Sequence, residues 1–287
     1  MEIKNLTNEN LKDIVGPCIC EEWVERFAKN NDVNIERVRK GFSKGAELRI
    51  NWIKKQLPLD YRAKIAYEKE RPIGFIDYFP IETVGGISGQ DITLINCVLI
   101  IPNPIYRNKG YGKLLLEEVE IDVKKLSKGI AVIAHNHPRW MPASFFAKRG
   151  YKVVDEQDSK IKEMLMLKTF QPVQLPKFIR QKYDYKPKTV SGKVVVEIFW
   201  SGMCPHNLLS VELLKDMLNE FGNKVLIKEA ATNDLPSDVI KKYGHGYGIY
   251  INGKPNFWLM GASRDEIHQE IESNLSGRCE FENKHQE

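Results

Sequence analysis

Residues 101–116 combine two glycines, three cations and the start of a helical pattern. Their sequence is IPNPIYRNKGYGKLLL, and a nearly unbroken apolar run at residues 94–101 leads into it. Glycines let a backbone turn tightly and approach a ligand closely. The free N–H groups of the following turn, together with the positive end of the helix dipole, then favour an anion such as a pyrophosphate. Arg107, Lys109 and Lys113 add positive charge around that point.

The spacing of the glycines excludes two common phosphate-binding loops. It differs from the GxGxxG dinucleotide fingerprint, and the Gly-Lys-Ser/Thr ending of a P-loop is absent. A tight strand-to-helix turn that binds nothing is the structural alternative for a lone glycine pair. A second motif is therefore needed to choose between the two interpretations.

That second motif lies at residues 144–151, with the sequence SFFAKRGY. The first motif, Arg107-x-x-Gly110-x-Gly112 after an apolar strand, resembles the coenzyme A motif of the GCN5-related N-acetyltransferases (the GNAT superfamily). The second is similar to another signature of that superfamily, an aromatic residue and a lysine followed by glycine and an aromatic residue. The order and spacing of the two motifs match, and the surrounding strand pattern matches over roughly residues 1–170.

The resemblance implies that acetyl-CoA is the acyl-donor substrate, with no metal. Backbone amides of residues 108–113 would hold the coenzyme pyrophosphate, and the pantetheine arm would pair with the strand at residues 98–101. A backbone N–H at residues 97–99 would stabilise the tetrahedral oxyanion. The implied coenzyme-binding residues are Val98, Leu99, Ile100, Arg107, Asn108, Lys109, Gly110, Tyr111, Gly112 and Lys113.

The sequence offers several candidates for the groups that move protons. An amine with a solution pKa of about 10 must lose a proton before it attacks. Many members of the superfamily protonate the departing thiolate with a tyrosine, where this chain has Phe146. The candidate catalytic residues are His137, which we prefer, then Tyr151 and Cys97, with His135 as a further imidazole. Three of them also have a structural interpretation. His137 could shape a loop, Tyr151 could be a core aromatic residue, and Cys97 could be a small buried hydrophobic residue.

A second strand-to-helix junction lies at residues 194–207, VVVEIFWSGMCPHN. It resembles the thioredoxin fold, in which a cysteine at a helix N-terminus has a lowered pKa. Cys204 is therefore a possible reactive thiol. Asn207 replaces the usual second cysteine, and Tyr247 stands where a cis-proline is normal. Residues 246–254, GYGIYINGK, also resemble the YoaP-like domain found behind some acetyltransferases.

Hydrophobic periodicity predicts the elements that position these motifs. In the first part of the chain we expect helices at residues 9–28, 35–57, 111–127 and 143–148, and strands at 64–67, 73–81, 94–101, 130–134, 151–154 and 163–167. In the last part we expect strands at 194–200, 225–230, 249–251 and 257–260, and helices at 208–221, 237–243 and 264–275. Asn252-Gly253 is a strong hairpin turn signal.

These elements predict an α/β (α+β) fold in two domains. A GNAT domain with a mixed, mostly antiparallel central sheet spans residues 1–170. A proline-containing linker spans residues 171–192. A small thioredoxin-like, YoaP-like α/β domain spans residues 193–287.

Bulk composition restricts the partners. The net charge of +5 over 287 residues is too weak to indicate nucleic acid. No apolar run reaches the roughly 20 residues that span a bilayer, so we expect no membrane partner. The five cysteines are odd in number and lack metal-ligand spacing. Reduced thiols in a cytoplasmic protein are the simplest interpretation.

Three functions remain open at this point. The first is transfer of an acetyl group from acetyl-CoA to a primary amine, on a small molecule or a peptide. The second is a non-catalytic coenzyme A sensor, whose degenerate thioredoxin-like module binds a partner or a second copy of the chain in a homodimer. The third is a thiol-based redox protein that acts through Cys204.

Overall fold

The chain divides into two compact units, Met1–Arg180 and Gln181–Glu287. The structure, a computed structural model, describes residues 1–106, 108–137, 140–157, 162–179, 190–231, 248–256 and 263–283. None of the described helices is both long enough and apolar enough to cross a membrane.

The first unit is built from both strands and helices. Its strands are β1 (Glu2–Asn5), β2 (Arg62–Glu68), β3 (Arg71–Pro80), β4 (Ile87–Ser88), β5 (Ile92–Ile100), β6 (Gly129–His135), β7 (Lys152–Gln157), β8 (Glu163–Thr169) and β9 (Lys177–Phe178). Its α-helices are α1 (Glu21–Asn31), α2 (Ile35–Gln56), α3 (Tyr111–Val123) and α4 (Ala143–Ala147).

Seven of these strands form the central sheet, in the order β1-β2-β3-β5-β6-β8-β7. Only β5 and β6 are parallel, because α3 carries the chain between them; the other neighbours are antiparallel. The predicted mixed, mostly antiparallel α/β fold is therefore confirmed. β9 pairs with β4, and Phe178 is buried, so part of the segment predicted as a linker packs into the first unit.

Helices cover both faces of the sheet. Helix α2 begins at the Asn34 cap, whose side chain accepts hydrogen bonds from the Glu36 and Arg37 N–H groups. Its buried positions recur every three or four residues, as one helical face requires. Side chains of α2 and of residues 11–18 pack on one sheet face, which we call the α2 face. Side chains of α3 and α4 pack on the other, the α3 face.

Two ion pairs attach α3 to strands at different positions in the sheet. The Lys64 ammonium of β2 lies 2.6 Å from the Asp122 carboxylate, and its side chain is only 8% exposed. The Lys168 ammonium of β8 lies 2.6 Å from the Glu120 carboxylate, which is also mostly buried. Partly buried pairs of this geometry fix the two partners far better than exposed pairs do.

The N-terminal segment differs from the sequence prediction. The helix predicted at residues 9–28 is wrong over its first half, because α1 begins only at Glu21 and a short 3₁₀ turn occupies Gly16–Cys18. Pro17 lacks an N–H and a helix interior excludes it, which explains why the pattern is interrupted there. Strand β1 at the sheet edge was not predicted, since its residues are mostly polar.

The second unit contains a four-stranded sheet in the order β11-β10-β12-β13. In the described part of this unit the strands are β10 (Val194–Trp200), β11 (Val225–Ala231), β12 (Gly248–Ile251) and β13 (Lys254–Asn256), and the α-helices are α5 (Pro205–Asn219) and α6 (Arg264–Asn283). The hairpin at Asn252-Gly253 is confirmed, with both residues at positive φ as a two-residue turn requires. The helix predicted at residues 237–243 and the strand at 257–260 lie outside the described residues.

Candidate active site

Strands β5 and β6 separate partway along their length. The two strands pair from Ile92 to Ile95, opposite Gly129 to Val132, and no further. Beyond that point β5 stays paired with β3, while β6 stays paired with β8. Residues 96–100 are accordingly half-buried, whereas residues 92–95 are buried. We call the space between the diverging strands the wedge; the edge of β5 that faces it has no strand partner among the described residues.

A bulge at Asn96 starts the divergence. Asp77 of β3 is opposite Cys97 and Tyr78 is opposite Ile95, so Asn96 is an extra residue on β5. Such a bulge bends its strand and increases the local twist. The Asn96 side-chain amide donates to Oδ2 of Asp77 at 3.0 Å. The bulge is therefore tied by its side chain to the neighbouring strand.

The Asp77 carboxylate holds a buried polar network on the α2 face. Its Oδ2 also accepts hydrogen bonds from the Arg49 guanidinium at 3.0 Å and from the Tyr61 hydroxyl at 2.7 Å. Asp77 is fully buried, so the paired guanidinium is what makes its charge tolerable. Burial, followed by the Asp77 charge, raises the pKa of Tyr61, which keeps its hydroxyl a hydrogen-bond donor.

The loop that enters α3 presents unpaired N–H groups. Gly110 caps the helix at a φ of 76°, and Asn108 is also left-handed at 58°. The first helical bond runs from the Leu114 N–H to the Gly110 carbonyl, so the N–H groups of residues 111–113 have no partner within the helix. Apart from the adjoining backbone, no described atom lies within 4 Å of the position that a Cβ would take at Gly110. The loop can therefore hold an anion.

The side chains of this loop match the predicted charge only in part. Lys109 and Lys113 are exposed, and the Lys113 ammonium lies 3.5 Å from the Glu117 carboxylate. Arg107 lies outside the described residues. The predicted binding residues Val98, Leu99 and Ile100 lie along the free edge of β5, and that edge leads into the loop.

Tyr151 lies in the core on the α3 face. It is 3% exposed and packs edge-to-face against Phe146 at a ring separation of 5.5 Å. Its hydroxyl has no hydrogen-bond partner among the described residues, although Glu120 is close by. Burial, and then the Glu120 carboxylate, raise the pKa of Tyr151 above its ordinary value. This position favours the core-aromatic interpretation over a role as proton donor.

The two histidines after β6 have different surroundings. Nδ1 of His137 accepts a hydrogen bond from the Trp140 N–H at 3.0 Å. His135 is buried under the Trp140 ring at 4.8 Å, and its Nδ1 has no hydrogen-bond partner among the described residues. Burial, and then the nearby His137, lower the pKa of His135 to about 4, so its imidazole is neutral at pH 7.

Sequence reasoning missed Glu163, which joins His135 on the α2 face. The two residues are opposite each other on β8 and β6, so their side chains share a face. Alternation along the strands places Cys97 and Leu99 on the same face. Burial raises the pKa of the Glu163 carboxyl. The α2 face beside the wedge therefore carries a carboxyl group of increased basicity, a neutral imidazole and a thiol.

Sequence reasoning also missed Met141, which crosses the wedge. Its thioether sulfur accepts a hydrogen bond from the Val98 N–H at 3.4 Å. Val98 is the central residue of the stretch predicted to supply the oxyanion N–H. A methionine before a proline gives no local signal of such a contact. It depends on how residues 140–142 return to the end of β6, where His135 forms a β-bridge with Pro142.

In the second unit, Cys204 is half-buried and is the N-cap residue of α5. Asn207, at the position of a second cysteine, donates from its side-chain amide to the Ser201 carbonyl at 3.0 Å. The thiols of Cys18, Cys20, Cys97 and Cys204 are not in disulfides. Asn207 therefore stabilises the loop instead of supplying a second thiol.

A comparison with protein-family models gives a match within the first unit. Residues 28–151 match the model of the acetyltransferase (GNAT) family. This segment of the first unit is therefore similar to the GNAT acetyltransferases. A search among curated proteins gave no match.

Several solved structures are similar to about three fifths of the chain. The PaiA N-acetyltransferase of Thermoplasma acidophilum in complex with coenzyme A has 25% identity and a TM-score of 0.40, over 59% of this chain and 99% of that one. The aminoglycoside 6'-N-acetyltransferase of Enterococcus faecium has 17% identity and a TM-score of 0.40, over 60% and 98%. A GNAT family acetyltransferase of Brucella melitensis in complex with acetyl-CoA has 13% identity and a TM-score of 0.39, over 61% and 90%.

Proposed function

We propose that the first unit transfers an acetyl group from acetyl-CoA to a primary amine of a small molecule or a peptide. One observation carries the proposal: the edge of β5 along the wedge leads into a loop in which the N–H groups of residues 111–113 have no partner within the helix. A strand edge offers alternating N–H and C=O groups to an amide-containing arm, and the helix N-terminus offers a site for its pyrophosphate. Both lie within or directly beside the segment that matches the family.

Each part of the donor has a proposed partner. Residues Asn108, Lys109, Gly110, Tyr111, Gly112 and Lys113 hold the pyrophosphate through their backbone, with Arg107 as an added charge. Residues 98–100 pair with the pantetheine arm. The Val98 N–H, which points into the wedge towards Met141, polarises the acyl carbonyl and stabilises the oxyanion. Holding donor and amine together supplies much of the rate increase in such transfers.

For the proton that the amine must lose, we propose Glu163 as the general base. A carboxyl group whose pKa is raised by burial is a stronger base than an ordinary one, which suits this step. It lies beside His135, on the same sheet face as Cys97. His137 is less suited, because a proton added at Nδ1 would break its hydrogen bond from Trp140. Tyr151 is excluded from this proposal by its burial beneath α3.

Release of free thiol from acetyl-CoA tests the main proposal. The full-length chain is incubated with acetyl-CoA and a panel of primary amines, including polyamines, aminoglycosides and peptides with free N-termini. We expect amine-dependent thiol release, with the acetylated amine confirmed by mass spectrometry. Tight binding of coenzyme A without transfer to any amine would support the second function instead. Phe146 in place of a proton-donating tyrosine is the observation that favours this non-catalytic sensor.

For the second unit we propose a degenerate thioredoxin-like, YoaP-like module that docks a partner or a second copy of the chain. Its support is the order of elements: a strand, a loop with a cysteine before a helix, a parallel strand and then an antiparallel hairpin. Asn207 leaves Cys204 as the one thiol at this junction, which argues against dithiol exchange. We also propose a cytoplasmic location, since the described cysteines Cys18, Cys20, Cys97 and Cys204 are not in disulfides.

A further inference from the structure

The Met141 side chain closes the wedge at the point where β5 and β6 have separated. It is 5% exposed, and its sulfur lies 3.4 Å from the Val98 nitrogen on the far side of the opening. A thioether is a weak hydrogen-bond acceptor, so this contact is easily replaced by a carbonyl oxygen. The methionine therefore occupies the space next to the N–H group to which an acyl carbonyl would bind.

The backbone holds this side chain in place. The Met141 carbonyl accepts a hydrogen bond from the His135 N–H at 2.9 Å, at the end of β6. Met141 has a φ of 41°, in the left-handed region that few side chains adopt, so the surrounding contacts must determine this conformation. Pro142 follows and forms a bridge with His135. Residues 140–142 are therefore anchored to β6, with the Met141 side chain directed across the wedge.

We propose that Met141 is a specificity-determining residue that limits the acyl group of the donor to short chains, acetyl above all. This inference rests on the proposed function of the first unit. When the acyl carbonyl binds the Val98 N–H, the flexible terminal torsions of the methionine move its sulfur aside. The rest of the side chain stays between the strands, since its backbone is fixed. The carbon atoms beyond the acetyl methyl of a longer acyl chain then collide with it.

Three substitutions separate side-chain volume from the other properties of Met141. Met141→Ala removes the atoms that cross the wedge. Met141→Gly does the same and also suits the left-handed backbone, so it remains a test if the alanine variant does not fold. Met141→Leu keeps a similar volume but lacks the sulfur. Thermal denaturation establishes that each variant is folded.

The measurement is calorimetric binding of coenzyme A, acetyl-CoA and butyryl-CoA to the full-length chain. We expect the unaltered chain and Met141→Leu to bind acetyl-CoA at least about tenfold more tightly than butyryl-CoA, the lower limit for methylene discrimination in an apolar pocket. In Met141→Ala and Met141→Gly this preference should fall to about threefold or less. Coenzyme A, which has no acyl group, should bind all four proteins alike.

Several results would overturn the inference. One is an unchanged acetyl preference in both small variants; another is an unaltered chain that binds butyryl-CoA as tightly as acetyl-CoA. Loss of the preference in Met141→Leu would show that volume is not the determinant. An equal loss of affinity for all three ligands in the small variants would mean that Met141 acts only on the fold. Failure of the unaltered chain to bind coenzyme A at all would instead contradict the proposed function.

Discussion

Gly110→Glu tests the anion site at the start of α3. Gly110 is left-handed and exposed, with no atom within 4 Å of an added Cβ, so the substitution causes no clash. It has two costs. A non-glycine residue in this backbone region loses about 1–2 kcal/mol of stability. The new carboxylate also stands beside the unpaired N–H groups that would bind the pyrophosphate, where it repels that group.

The repulsion can be estimated. Two unit charges about 4 Å apart interact by roughly 4 kcal/mol at the effective dielectric of a protein surface. Even half of that exceeds the ~1.4 kcal/mol that corresponds to a tenfold change in affinity. We therefore expect coenzyme A to bind Gly110→Glu at least about tenfold more weakly, as measured by isothermal titration.

The second unit supplies a matched control. Gly222 is also left-handed, at a φ of 56°, exposed, and without an atom within 4 Å of an added Cβ. Gly222→Glu therefore carries the same conformational cost and the same charge. It should destabilise its own unit by a similar amount and leave coenzyme A affinity unchanged. Equal affinities of the two variants, both folded, would refute the assignment of the anion site to this loop.

Three further predictions concern the wedge, the proton carriers and the second unit. A Cβ on Gly74 would lie 2.6 Å from the Leu99 carbonyl oxygen, so Gly74→Ala should displace β5 and weaken coenzyme A binding. Chemical denaturation should show a loss of about 1–3 kcal/mol in the free energy of unfolding. The control Gly129→Ala, in which the nearest contact of the added Cβ is 3.2 Å, should lose less. Glu163→Gln should lower kcat about a hundredfold and remove the acidic limb of the pH profile of kcat. Tyr151→Phe should change neither the rate nor its pH profile. If Tyr151→Phe has these effects and Glu163→Gln does not, Tyr151 is the proton carrier. The full-length chain should not reduce insulin disulfides, since Asn207 replaces the second thiol; reductase activity that disappears in Cys204→Ser would contradict the docking proposal.

The sequence was sufficient for features that depend on local pattern. The apolar run at residues 94–101 predicted a strand, and the Gly110 loop followed by amphipathic spacing predicted α3. Asn252-Gly253 predicted its hairpin. In each case the physical cause lies within a few residues, because side-chain period and positive φ are local properties.

Features that depend on strand pairing could not be predicted in this way. A nearly unbroken apolar run is typical of a strand that is buried on both faces, but residues 96–100 are half-buried because β6 diverges after Val132. The contact of Met141 with Val98 and the position of Glu163 opposite His135 join residues far apart in the chain. The preference for His137 also came from the sequence alone, in which nothing local revealed that its Nδ1 accepts a hydrogen bond from the Trp140 N–H.

The two ion pairs of α3 have a mechanical consequence for the wedge. Lys64 belongs to β2, on the β5 side of the split, and Lys168 belongs to β8, on the β6 side. Helix α3 is therefore bound by ion pairs to the strands on both sides of the gap between β5 and β6. These two attachments oppose both closure and further separation of β5 and β6. The width of the wedge is therefore set when the protein folds. Ligand binding then requires little conformational change of the protein, so less of the interaction free energy is spent on that change and the affinity is higher.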